Sequence, residues 1–293
     1  LLRSMLWQSL WDSVESGKLA LPNYLRIVYK NIDRESDLII VKQVASTLSK
    51  AYRYLSLQQL QDVKQVKAQL EKYVYQRTDV ADPKSDMQKI WFDTLLKLAH
   101  RKNTLASLAH LLTTKKGFNG WQIDQKRRWQ TLVRLASFDF PNVAQWIEQE
   151  QRRDASDRGR KYYLASQAAK QDIKNKEFWL NALHNNEKQL PLAQLRFVMR
   201  GLFPAHQAEH QRQLSQQLLT QLKNLDQHAD ANLVADFANI LIPATCTATS
   251  VAQLGKAKKE FSSASFNTQK SLAIAHQLDQ RCVTIASKMQ HSG

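Results

Sequence analysis

The stretch His206-Gln207-Ala208-Glu209-His210 holds the pattern H-x-x-E-H. On a helix this spacing sets two imidazoles one turn apart on the same face, which is what zinc binding requires. Pro204 places the motif in the first turn of a helix, where polar residues belong. The residues that follow are Gln, Arg and Gln, so the face reads as solvated. A catalytic zinc also needs a third protein ligand, and no downstream helical Glu stands out. The pattern is read as a surface pair, and no metal ligand is assigned.

Three other groups of residues have chemistry available to them. Between Lys115 and Lys161 lie Lys115-Lys116, Lys126-Arg127-Arg128, Arg152-Arg153, Arg158 and Arg160, with Trp121 and Trp129 between them and Tyr162-Tyr163 after. Basic residues with aromatics can hold phosphates and stack bases. Asp124, Glu148, Glu150, Asp154 and Asp157 are mixed in and break up any continuous patch. The reading adopted is solvated basic faces over core aromatics. Arg196 and Arg200 stand one turn apart and suit a carboxylate, for instance that of a peptide substrate. A pair of arginines bridging helices explains them equally well. Cys246 and Cys282 are the only cysteines. Two exclude a four-cysteine metal site and leave either a disulfide or two buried free thiols. There is no H-E-x-x-H, G-x-S-x-G, Gly-rich phosphate loop or C-x-x-C, so no catalytic constellation can be assembled.

The elements that must carry these residues follow from composition. Of 293 residues 43% are hydrophobic and 23% charged, with only 7 Gly and 6 Pro. Strands need turns, and turns use Gly and Pro. A chain poor in both, and rich in Leu, Ala, Gln and Lys, is expected to be all-α with short connections. Lys and Arg exceed Asp and Glu by 42 − 26 = 16, a balance that attracts anionic partners. No apolar run approaches the roughly 18 residues of a membrane span.

About fifteen helices are expected. The first is apolar on Leu2, Leu6 and Leu10, with Trp7 and Trp11 as core, and it ends at Gly17. It has no N-cap ahead of it, which suggests a piece of a longer polypeptide. Pro22 opens a second helix, Ser36 or Asp37 caps a third, and Ser56 to Gln59 reads as a capping box for the stripe Leu57, Leu60, Val63, Val66, Leu70 and Val74. Asp82-Pro83 and Asn103 are expected to start two more. Residues 115–124 form the clearest loop. One long helix is expected from Pro204 to about His228. Helix pairs recur at about forty residues, near the HEAT-type period. Stacked antiparallel pairs in a curved solenoid or bowl, as a single domain over 1–293, are the expected architecture.

Arg3, Leu6-Trp7, Leu10-Trp11-Asp12 and Val14, followed by Gly17-Lys18-Leu19, Tyr24-Leu25 and Glu35-Ser36-Asp37, resemble the start of the helical C-terminal domain of the aminopeptidase N family of zinc metallopeptidases. Asp154-Ala155-Ser156-Asp157, Gly159-Arg160, Ala165, Ala168-Ala169, Lys176 and Phe178-Trp179 look like a later segment of its bacterial members. The likeness covers most of the chain in order.

The resemblance implies a domain that closes over a thermolysin-like catalytic domain and helps form an internal chamber. The family's zinc-binding H-E-x-x-H and its G-x-M-E-N loop belong upstream, and neither occurs in this sequence. No catalytic residue is therefore carried onto this chain. Zinc is expected in the upstream domain, with that domain and peptide substrates as partners and no nucleic acid. A basic α-solenoid binding nucleic acid or an acidic protein is the alternative. A Cys246–Cys282 disulfide would favour the bacterial periplasm over the cytoplasm.

Overall fold

The computed structural model describes residues 2–58, 61–114, 118, 120–185 and 190–290. Gln59, Leu60, Lys115, Lys116 and Gly117, which the expected capping box, stripe, basic run and loop include, lie outside the described residues. Among those described the chain is all-α, without strand or sheet. The helices are α1 (Leu2–Glu15), α2 (Leu21–Asn31), α3 (Leu38–Leu57), α4 (Gln61–Val80), α5 (Asp86–Leu98), α6 (Lys102–Thr114), α7 (Gln125–Ala136) and α8 (Val143–Arg153). There follow α9 (Asp157–Ala169), α10 (Ile173–Asn185), α11 (Leu192–Leu202), α12 (Ala208–Gln213), α13 (Ser215–His228), α14 (Ala231–Leu241), α15 (Ala248–Glu260) and α16 (Phe266–Gln290).

Side-chain caps fix several starts by accepting from otherwise orphaned N–H groups. Asp37 accepts from the Ile39 N–H at 2.8 Å and Ser156 from Gly159 at 3.0 Å. Asp230 accepts from Asn232 and Leu233, and Thr247 with Ser250 forms a reciprocal capping box. Pro22 lies in the first turn of α2.

Three expected boundaries move. The helix expected at Asp82-Pro83 starts at Asp86, because Ser85 accepts from the Gln88 N–H at 3.0 Å while Lys84 takes a left-handed φ of 67°. Helix α6 begins at Lys102, one residue ahead of the expected cap Asn103. The long helix after Pro204 is three pieces: a 3₁₀ turn over Ala205–Gln207, then α12, then α13 after a break at Leu214. The break lets the first piece turn Gln207 into buried surroundings. It also frees α13 to set Leu218, Leu219, Leu222 and Leu225 in the core.

The chain groups into two compact units, Leu1–Thr131 with Arg281–Gly293, and Leu132–Gln280. In the first, Trp11, Tyr24, Val44, Leu48 and Leu55 are buried from α1, α2 and α3, and Leu70, Val74, Phe92 and Leu95 from α4 and α5. Trp11 meets Tyr24 edge-on at 5.3 Å, and Phe92 meets Trp121 edge-on at 5.0 Å. In the second, Trp179, Leu180, Val198, Met199, Leu222, Phe237, Leu254 and Leu272 join one core. Both cores follow from amphipathic helices burying their apolar stripes on one another.

Candidate functional site

The H-x-x-E-H residues do not share a helix. His206 lies in the 3₁₀ turn and His210 in α12. The solvated face expected of them holds only in part, since Glu209 and Gln213 are exposed but both histidines are half-buried. Gln207 and Ala208 are buried, and the His206 ring stacks flat on Phe138 at 4.0 Å. Its Nε2 lies 2.9 Å from the Ser137 carbonyl and donates to it, which removes that nitrogen as a metal ligand. Gln207, which no sequence pattern singled out, donates from Nε2 to Ser137 O at 2.7 Å and to Ala169 O at 2.9 Å. The residues between the histidines therefore fasten the 3₁₀ turn to the ends of α7 and α9. They do not fit a catalytic zinc. Among the described residues no group of three or more His, Cys, Asp or Glu could hold a metal ion.

Lys176 lies in the same unit. It is fully buried on α10 and donates from Nζ to Ala168 O at 2.9 Å. Burial pushes its ammonium down from 10.5 to about 7, against the pull of Asp139. Burial, with the Lys176 charge next, lowers His210 as well, while Glu209 and Asp172 oppose the shift. In sequence Lys176 is an ordinary helical lysine, and only its place in a core-facing register could have marked it.

The basic, aromatic-rich region resolves into core and local ion pairs. Trp121 and Trp129 are buried, as the sequence reading expects. Arg127 forks onto Asp93 at 2.7 and 2.8 Å and also pairs with Asp124. Lys161 pairs with Asp157 at 2.5 Å, and Arg134 lies over the Phe138 ring. The segment Asp154–Arg160 has a packing reason of its own. A Cβ on Gly159 would lie 2.2 Å from Asp154 O, so only glycine lets the chain fold this closely onto the first turn of α9.

Arg196 and Arg200 part company. Arg196 bridges α11 to α14 through Asp236. Arg200 is exposed and forms no ion pair among the described residues. Cys246 and Cys282 are both buried, and neither is a free thiol. Cys246 sits at a left-handed φ of 61° and donates its N–H to Asp279 at 2.6 Å. Asp279 is buried, and burial raises its carboxyl above the usual range against hydrogen bonds from Ser250 and Cys246.

On α1 the stripe divides. Trp7 and Trp11 are buried, while Leu2 is 71% and Leu6 57% exposed. Met5 is exposed beside them, and so is Ile39 in the first turn of α3.

Comparison with known proteins places the chain. A stretch of 208 residues is 24% identical to Aminopeptidase N of Streptomyces lividans, covering 71% of this chain and 24% of that protein. The chain thus spans about a quarter of the length of this relative. Residues 1–280 match the family model described as the ERAP1-like C-terminal domain. A match over nearly the whole chain assigns it, and this protein belongs to the ERAP1-like C-terminal domain family.

Proposed function

We propose that this chain is the non-catalytic C-terminal domain of a zinc-dependent aminopeptidase that removes N-terminal residues from peptides. The observation that carries the reading is the family match over residues 1–280. A relative named Aminopeptidase N, four times as long as the stretch it shares, supports it. In this reading the zinc and its ligands belong to an upstream domain of the same polypeptide. The domain described here acts as one wall of the chamber in which peptides are cut, and so selects them by size. Its two compact units work as a single domain over 1–293.

The exposed Leu2, Met5 and Leu6 on α1 suit contact with that upstream catalytic domain, since apolar side chains clustered on one helix mark an interaction surface. Arg200, with Arg196 beside it on α11, is the candidate for attracting a peptide carboxylate. In this reading Cys246 and Cys282 pair as a disulfide, which would favour an oxidising compartment such as the bacterial periplasm over the cytoplasm for the parent.

The test is metal analysis with an aminopeptidase assay on this chain and on the parent enzyme. The chain alone should carry no stoichiometric zinc and turn over no aminoacyl amide, and the parent should do both. Stoichiometric zinc with EDTA-sensitive turnover in the chain alone would overturn the reading.

A further inference from the structure

A cavity of about 200 Å³ opens between α4 and α6, lined by Lys72 and Tyr75 from the first helix and by Arg101, Asn103, Thr104 and Ser107 around the start of the second. This is more than ten times the roughly 10–15 Å³ of comparable volume that one water needs. Every lining residue carries a polar group and two are cationic, although most of the accessible lining is carbon from their stems and rings. Several arginines elsewhere in this unit have carboxylate partners: Arg77 pairs with Asp33, Arg127 with Asp93 and Asp124, and Arg281 with Glu15. The side chains of Lys72 and Arg101 form no ion pair among the described residues.

The nearest carboxylate is already satisfied. Glu71 is fully buried and lies outside the lining. It accepts from the Arg101 backbone N–H at 3.2 and 3.3 Å and from His100 Nδ1 at 2.5 Å, and Thr104 also bonds to it. These bonds fix the turn between α5 and α6, and with it the place of Arg101. On the other wall Tyr75 Oη donates to Ser107 Oγ at 3.2 Å, and Ser107 Oγ donates to Asn103 O at 3.0 Å. The cavity is held in shape by bonds that leave its two charged groups unused.

We propose that this cavity is a binding site for a tetrahedral oxyanion, a phosphate group free or carried on a small molecule. The Arg101 guanidinium presents a planar fork to two oxygens, and Lys72 supplies a separate point charge. The N-terminal end of α6 is already met by the Glu71 carboxylate, through the Arg101 N–H and Thr104, so the two side chains carry the site. A planar carboxylate has two oxygens and uses the fork alone, whereas a phosphate has oxygens for both groups. The site is separate from anything assigned to peptide cleavage, and its test does not depend on that reading.

The experiment is calorimetric titration of the full chain with inorganic phosphate, glycerol phosphate and acetate at constant ionic strength. Phosphate should bind saturably, and acetate at least tenfold more weakly. Tighter binding of glycerol phosphate than of phosphate points to a carried group, and the reverse order to the free ion; both support the site. The variants Arg101→Gln and Lys72→Met should each lose tenfold or more in phosphate affinity. Their circular dichroism and phosphate-free melting temperatures should match the parent chain. Absence of saturable binding, acetate binding equal to phosphate, or undiminished phosphate affinity in folded Arg101→Gln would overturn the proposal.

Discussion

A Cβ placed on Gly201 would lie 2.5 Å from the carbonyl oxygen of Ala165, with the Ala165 Cα at 3.1 Å. Helices α11 and α9 therefore meet backbone to backbone, and the obstacle is a main-chain atom that cannot rotate away. Gly201→Ala should destabilise the chain by about 1–3 kcal/mol, since overpacking outweighs the roughly 1 kcal/mol that alanine gains in helix propensity. Urea unfolding measures it. A stabilised variant would mean that the crossing is looser than described.

Lys176 should make stability depend on pH. Its folded pKa of about 7 lies below the ordinary 10.5. Between these values the unfolded chain binds more protons than the folded one, so stability rises with pH across the window. Below about 7 the fold bears the full cost of the buried charge, several kcal/mol at about 1.4 kcal/mol per pH unit. Lys176→Met should flatten the rise. Unfolding curves for both proteins from pH 6 to 10.5 check this, and parallel profiles would refute it.

Gln207 bridges two main-chain carbonyls, Ser137 O and Ala169 O. Gln207→Ala removes both donors at once. The loss should be about 1–3 kcal/mol, the cost of one buried acceptor left without a partner, because Ala169 O is orphaned while His206 still serves Ser137. Thermal unfolding reads the loss. His206→Ala should cost less, because the Ser137 carbonyl keeps its bond from Gln207.

Thiol titration of the denatured, unreduced protein should find no reactive sulfhydryl if Cys246 and Cys282 pair as proposed. Replacing both by serine should lower stability by about 3–4 kcal/mol in the chain-entropy account of cross-links. Two titratable thiols before reduction would remove the disulfide, and with it the argument for an oxidising compartment.

In the parent enzyme, Arg200→Ala should raise KM several-fold for peptides that end in a free carboxylate. It should leave small chromogenic amides unaffected. Equal losses on both substrates would argue against a carboxylate-attracting role. Arg196→Ala should in addition lower stability, since it strips Asp236 of its partner.

The all-α class was legible in the residues because it rests on local physics. Seven glycines and six prolines leave few turns, and apolar stripes at helical spacing must be buried somewhere. Trp7, Trp11, Trp121 and Trp129 read as core for the same reason, and they are buried. The resemblance found in the first forty residues and in Asp154–Trp179 led to the family that the comparison assigns. Local reading failed where long-range contacts decide. His206 looked solvated because its sequence neighbours are polar, yet Phe138, 68 positions earlier, supplies the surface it stacks on. Arg196 and Arg200 share a helix face in sequence, but Asp236 on α14 takes only the first. Lys176 shares the buried register of Trp179, Leu180 and Leu183 on α10, a signal its charge masked, whereas Gln207 owes its burial to where α7 and α9 end, and no spacing within one helix encodes that. Lys72 and Arg101, 29 positions apart, line one cavity only because α4 and α6 pack side by side. Helix formation is set by neighbours a few residues away and could be read from the chain itself, whereas sites are set by which helix ends meet, and tertiary packing alone decided that.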